Sequence, residues 1–158
     1  MDRHGGAFSR LLSEAQPDPA GRRWLFVPYD QLSDRIGPLS REDPSELGIL
    51  LIENPWKASR RPYHKQKLAL VLCNLRHFAL EQAARGVAVR HVVAGGPYRH
   101  TLEPLAAELG GLGPVRVMVP AERELRADLQ PLLDAGRLES IPHEGWLTTR
   151  DQFLRSQK

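Results

Sequence analysis

The sequence predicts an α/β fold, a doubly wound five-stranded parallel sheet with helices on both faces, and three observations carry that expectation. Short apolar runs of strand length recur five times along the 158 residues, each followed by a turn rich in Pro, Gly, Asp or Ser. Between the last four of these runs, apolar residues return at three- and four-residue steps, the period of a helix. One run, Leu47 to Glu53 (LGILLIE), is almost continuously aliphatic, as suits a parallel strand covered on both faces.

The elements follow in order. Residues 1–22 scatter charge, Gly and Pro without an apolar core or a small-residue cleavage site, so they read as a flexible leader and not as a signal peptide. Trp24 to Tyr29 (WLFVPY) is strand one and ends at the polar turn Asp30-Gln31-Leu32-Ser33. A loop rich in Pro, Asp and Ser leads to strand two, Leu47 to Glu53. Leu68, Val71, Leu72, Leu75, Phe78, Ala79, Gln82 and Ala83 then mark one amphipathic helix from about Pro62 to Arg85, stopped by Gly86. Val87 to Ala94 is strand three. After Gly95-Gly96-Pro97 comes a helix over Thr101 to Leu109, then strand four at Pro114 to Val119. A third helix spans Glu122 to Ala135 and closes at Gly136, and Leu138 to Pro142 is a weak fifth strand. The α/β domain therefore covers residues 23–145.

In such folds the crossovers are right-handed and ligands bind beyond the carboxyl ends of the strands, where the strand order reverses. With strand one central, that crevice lies between the turns after strands one and four. Tyr29, Asp30, Gln31 and Leu32 stand on one side, Pro120, Glu122 and Arg123 on the other, and Glu53 borders the opening.

Composition removes several classes of function. A formal charge of +3 permits contact with nucleic acid but is no concentrated basic face. No run approaches the roughly 20 apolar residues of a membrane span. The lone Cys73 allows no intramolecular disulfide and fits a reducing cytoplasm; at the flank of the apolar stripe it is expected to be a small packed thiol. There is no G-x-x-x-x-G-K-[ST] loop, no G-x-G-x-x-G after strand one and no G-x-S-x-G elbow. Gly110-Gly111-Leu112-Gly113 joins a helix to the following strand, at the wrong edge of the sheet for phosphate binding, and reads as a plain loop. The histidines are dispersed, without the close spacings of zinc or iron–sulfur ligands, so no metal is implied.

Arg60-Arg61-Pro62-Tyr63-His64-Lys65-Gln66-Lys67 crowds positive charge at a helix start, where the macrodipole favours anions instead. The arrangement suits a helix end facing a ligand phosphate, a nucleic-acid backbone or an acidic domain surface, or else a solvated basic turn. Arg60, Arg61, Lys65 and Lys67 are thus candidates for nucleic-acid or domain contact. His64, one turn before Leu68, is expected to point along the sheet-facing stripe toward the crevice, as a ligand contact or a packing residue bonded to a backbone carbonyl. Near the C-terminus, Thr149-Arg150-Asp151-Gln152 has the form of a capping box. The helix it opens is too short to be stable alone, which predicts continuation into a further helical region.

Taken together, Tyr29-Asp30-Gln31-Leu32-Ser33, Glu53 at the end of strand two, Arg61-Pro62-Tyr63-His64-Lys65-Gln66-Lys67-Leu68, Asn74-Leu75-Arg76-His77-Phe78-Ala79 and Trp146-Leu147-Thr148-Thr149-Arg150-Asp151-Gln152-Phe153 resemble the deoxyribodipyrimidine photolyase-related proteins. These are bacterial photolyases and cryptochromes that carry an iron–sulfur cluster, and the resemblance runs from about Trp24 to the end. It implies an N-terminal antenna-binding domain that holds a light-harvesting pigment, 6,7-dimethyl-8-ribityllumazine or a relative. FAD and the iron–sulfur cluster would lie in a following helical domain, toward which residues 146–158 begin a linker. It also implies that the parent protein repairs DNA or senses blue light, and that this chain alone is not catalytic. By position, Tyr29, Asp30, Gln31, Leu32, Glu53 and His64 are the expected pigment contacts. The family commonly has Gly where this chain has Tyr29, so the phenol either stacks on the pigment or fills its place. Two other readings stay open, a pigment-free regulatory or nucleic-acid-binding domain of the same fold, and a small nucleotide-directed enzyme.

Overall fold

The computed structural model describes residues 6–60 and 62–156. Its sheet has five parallel strands, β1 (Arg23–Phe26), β2 (Leu47–Glu53), β3 (Ala88–Val93), β4 (Val115–Met118) and β5 (Leu138–Ile141), in the order β3-β2-β1-β4-β5. Strand one is central, with Phe26 in register between Leu50 and Val117. The chain builds outward from β1 to β2 and β3, then returns to the other side of β1 for β4 and β5. Its switch point therefore lies between β1 and β4.

Side-chain alternation along the strands divides the core in two. Trp24, Phe26, Leu50 and Ile52 join Leu102 of α5 (Tyr98–Leu109) and Leu129 of α6 (Arg123–Asp134) on one face. Leu25, Val27, Ile49 and Leu51 join Leu75 and Phe78 of α4 (Lys65–Ala84) on the other. All of β2 is buried, which accounts for its unbroken aliphatic run. In the edge strand β5 the buried Leu138 is followed by exposed Glu139 and Ser140, and such polarity discourages pairing with other chains.

The boundaries differ from expectation where proline and tertiary packing intervene. Strand one stops at Phe26, short of Tyr29, because Pro28 has no N–H to continue the ladder. The second helix begins at Tyr98, directly after Pro97. Where a flexible leader was expected, Ala7–Ala15 form α1, with Leu12 buried among the residues of the α4 face. The Phe8-Leu11-Leu12 spacing is helical, but nine residues are marginal without the packing that α4 supplies. Two short helices, α2 (Pro38–Arg41) and α3 (Pro55–Ser59), occupy segments that carry no helical period. Cys73 is exposed on α4, where a packed thiol was expected. The Thr149 box forms as written: the Gln152 N–H donates to Thr149 Oγ1 at 3.2 Å and the Thr149 N–H to Gln152 Oε1 at 2.8 Å, opening α7 (Arg150–Ser156). Among the described residues no helix is long and apolar enough to cross a membrane.

Gly48 lies beside Trp24 in the β1–β2 register, and a Cβ there would come within 2.6 Å of the indole ring. Both residues are in the buried centre of the sheet, so the ring has little room to retreat. Gly48→Ala is expected to destabilise the chain by about 1–3 kcal/mol. A lowered urea midpoint at unchanged slope would register this; an unchanged midpoint would mean that Trp24 repacks freely.

Candidate functional site

Side chains from several elements close the switch point itself. Gln31 is only 2% exposed, and its Nε2 donates to the carbonyls of Met118 at 3.2 Å and Val119 at 3.3 Å. It thereby ties the turn after β1 to the end of β4. The half-buried Tyr29 donates its hydroxyl to Glu122 Oε2 at 3.4 Å, and Glu122 Oε1 pairs with Lys57 of α3. Burial first, and the neighbouring Asp30 and Tyr63 next, push the Tyr29 phenol up from 10.0, so it stays a protonated donor at neutral pH.

Room for a ligand lies immediately beside this closure. A cleft of about 420 Å³ is walled by Trp56, Lys57 and Arg60 of the α3 segment and by Tyr98, Leu125 and Asp128 of α5 and α6, with Asn54 at its inner end. Asn54, Lys57 and Tyr98 are shared with a second, apolar pocket of about 60 Å³ that runs toward Tyr29, Ile52, Leu68 and Leu72. The Arg60 guanidinium lies 4.8 Å from the centroid of the Trp56 ring. Burial chiefly, with help from the nearby Tyr29, Asp30 and Asp128, pushes the Tyr98 phenol far above its ordinary value. The cleft thus combines aromatic surface, the cations Lys57 and Arg60 on one wall and the carboxylates of Glu124 and Asp128 on the other. That suits a flat, polar, uncharged or weakly charged molecule better than a polyphosphate.

The expected site residues divide around this cleft. Tyr29 lines the inner pocket, and Arg60 lines the outer cleft. Asp30 and Leu32, with Tyr29, border a shallower depression of about 380 Å³ on the α4 side, facing Asn74 and His77. Gln31 is a strand tie at the closed mouth. Glu53 is turned away altogether: it shares the face of Ile49 and Leu51, and its carboxylate receives Arg76 Nε, Arg76 Nη2 at 2.9 Å and His91 Nε2 at 3.0 Å. Phe8 of α1 packs over both partners, 5.0 Å from the His91 ring and 5.4 Å from the Arg76 guanidinium.

His64 is exposed at the N-cap of α4 and lines none of these cavities, where it was expected to point toward the crevice. The apolar stripe is continuous in sequence, yet its residues are buried only from Leu75 onward, and Leu68, Val71 and Leu72 are half-covered. Lys65 and Lys67 are exposed, Lys67 lying 5.4 Å from the Tyr63 ring centroid, and Arg61 lies outside the described residues. Asn54, Trp56, Lys57 and Tyr98 were not anticipated. Their signal was positional: each follows the carboxyl end of β2 or β3, where α/β folds place ligands. Among the described residues no group of His, Cys, Asp and Glu side chains is arranged to hold a metal ion.

Burial would raise the pKa of Glu53, but hydrogen bonds and charge from His91 and Arg76 outweigh it and hold the carboxyl at about 2, below its ordinary 4.5. Because the folded-state value is depressed, this contribution to stability is fully present above pH 4.5 and is lost as pH falls through about 2. Glu53→Gln is expected to cost about 1–3 kcal/mol near neutrality, Arg76 being half-exposed and able to regain water. Urea titrations of both proteins at neutral and acid pH should show the gap shrinking as pH is lowered from 4.5 toward 2. A gap independent of pH would contradict the ion-pair account.

Two comparisons bear on identity. Over 67 residues the chain is 36% identical to a (6-4) photolyase of Agrobacterium fabrum, a stretch covering 42% of this chain and 13% of that protein. The matched stretch is a small part of that relative's length. Residues 25–158, from the first buried strand through α7, match the description "Deoxyribodipyrimidine photo-lyase-related protein", and on that match the chain belongs to the deoxyribodipyrimidine photo-lyase-related protein family.

Proposed function

We propose that this chain is the antenna-chromophore-binding domain of a photolyase-like protein and that it holds 6,7-dimethyl-8-ribityllumazine, or a pigment of the same class, in the cleft beside the switch point. The observation that carries this reading is the cleft of about 420 Å³ between Trp56 and Tyr98 at the carboxyl edge of the sheet. Its size falls in the range of small-molecule sites, roughly 300–1,000 Å³, and its lining joins the rings of Trp56 and Tyr98 to the polar groups of Lys57, Arg60, Glu124 and Asp128. The residues fit the pigment: Trp56 and Tyr98 offer ring surface, and Arg60 and Asp128 offer partners for ribityl hydroxyls. When bound, the pigment supplies light absorption and transfer of excitation to FAD. The protein's part is to position the ring and keep water from it. FAD, the iron–sulfur cluster and the chemistry of DNA repair or blue-light signalling are assigned to a helical domain of the full-length protein, and this chain by itself to no catalysis. A cytoplasmic location accords with that role.

Titration of the purified chain with 6,7-dimethyl-8-ribityllumazine, followed by pigment fluorescence, is expected to saturate at one pigment per chain. Trp56→Ala should weaken binding about tenfold by removing one aromatic wall. Absence of binding in the unaltered chain would overturn the reading.

A second reading is favoured by the exposed cations Arg60, Lys65 and Lys67 around the start of α4. In it the domain is regulatory, without pigment, and touches a nucleic-acid backbone through these residues. Its expected signature is duplex-DNA binding that falls steeply with salt and is weakened by Arg60→Glu combined with Lys65→Glu. Fluorescence anisotropy across a salt series tests it, and salt-insensitive or absent binding removes it.

A further inference from the structure

We infer that the Lys57–Glu122 ion pair is the latch of the cleft: it holds α3, and with α3 the Trp56 ring, in place, and its release is the step that lets a ligand in and out. The inference rests on the cleft being the pigment site proposed above and gives that site its means of opening. The two walls are built unequally. Tyr98 and Leu125 stand on helices of twelve residues each, rooted in the core by the fully buried Leu102 and Leu129. Trp56 and Lys57 stand on α3, five residues without one buried side chain. A segment with so little buried apolar surface opens locally at a small fraction of the cost of unfolding the domain.

Individual side-chain contacts therefore matter more than packing in keeping α3 where it is. Two of them are local: Ser59 Oγ donates to the Trp56 carbonyl at 2.6 Å, and the Arg60 guanidinium lies 4.8 Å from the Trp56 ring centroid. These stiffen the segment without tying it to the domain. At its start Asn54 Nδ2 donates to the Gly96 carbonyl at 3.0 Å, which fixes a pivot. The Lys57–Glu122 pair is the contact that reaches across to the start of α6.

Glu122 is the fixed end of this pair. It is the N-cap residue of α6, its carbonyl accepts the Arg126 N–H at 3.0 Å, and its Oε2 receives the Tyr29 hydroxyl at 3.4 Å. Lys57 is the moving end, and it lines both the cleft of about 420 Å³ and the inner pocket of about 60 Å³. Movement of α3 thus alters both cavities together and displaces Trp56, the preceding residue. The two side chains are 32% and 23% exposed, so water reaches the pair and takes over its hydrogen bonds as it opens. A fully buried pair would instead lock the wall, because separation would strand each charge.

Glu122→Gln removes the charge and keeps an oxygen for the Tyr29 hydroxyl. Amide hydrogen exchange of the ligand-free chain, followed by mass spectrometry, is expected to quicken roughly three- to fivefold over residues 54–60 of this variant and to stay unchanged in α5 and α6. Raising salt from about 0.1 M to about 1 M should quicken the same residues in the unaltered chain and have no such effect in the variant. Stopped-flow mixing with 6,7-dimethyl-8-ribityllumazine should show entry and release both faster by roughly three- to fivefold, with affinity changed by less than about twofold. A wall that is merely damaged would speed release alone. Exchange over 54–60 that does not change, or that quickens equally in α5 and α6, overturns the inference, and so does an entry rate left as it was. Should the variant fail to fold, the salt dependence of the unaltered chain decides. If the pigment does not bind the unaltered chain, the pigment reading falls, while exchange still decides the latch.

Discussion

Everything at the carboxyl edge of this domain depends on the two-sided burial of its central strands. A strand covered on both faces hands alternate side chains to opposite layers and has no solvent face to absorb a mismatch. In β2 this parity sends Ile49, Leu51 and Glu53 to the α4 side and Leu50 and Ile52 to the α5 side. Glu53 consequently meets Arg76 and His91 and becomes part of the packing under α1, while the next residue, Asn54, reaches the cleft. One step along the chain separates a structural ion pair from a residue that lines the cleft. A slip of a single residue in the β1–β2 register would exchange their roles and would also drive Trp24 away from the space left by Gly48.

The edge has a second common feature. Every strand is followed within a few residues by a proline: Pro28, Pro55, Pro97, Pro120 and Pro142 after β1 to β5. Proline has no N–H to extend a ladder, so each strand stops and nearby carbonyls must find donors elsewhere. Side chains supply them. Gln31 donates to Met118 and Val119, Asn54 to Gly96, and Arg126 to Pro120 at 2.7 Å and Ala121 at 2.6 Å. An amide that donates its nitrogen in this way leaves its oxygen behind, and Gln31 Oε1 and Asn54 Oδ1 are the two buried side-chain oxygens without a partner among the described residues. Gln31 is sealed at the mouth of the switch point, whereas Asn54 lines the cleft with its oxygen turned from solvent.

These relations explain what the sequence made legible. Strand positions, helix stops at Gly86 and Gly136 and the Thr149 capping box follow from local patterns that tertiary packing merely trims, whereas the central place of strand one was assumed from the commonest strand order and is found so. The family resemblance was legible too, because it rests on the α4 segment and on the stretch that opens α7. The facing of β2 was not. An unbroken aliphatic run carries no alternation of polar and apolar residues, so nothing in LGILLIE says which face Glu53 takes. His64 failed for a related reason: a stripe in sequence shows which side of a helix is apolar, not how far the sheet extends beneath it. Asn54, Trp56 and Lys57 sat in a segment with too few residues for a helical period, and Phe8 and Leu12 in a helix that exists only because α4 covers it.

The parts of the cleft differ in how firmly they are held. Tyr98 and Leu125 belong to long helices anchored in the core, with neighbours Leu102 and Leu129 fully buried. The opposing wall is α3, five residues long, with no buried side chain of its own. A helix of that length has no stability apart from its contacts. Lys57 secures it to Glu122, and through Glu122 to Tyr29, across the edge of the sheet. The bridge holds this wall in place. Tyr29 then has a physical role in this closure. Its bulk occupies space at the switch point that a smaller residue would leave to a ligand, and its hydroxyl helps fix the acid that anchors α3.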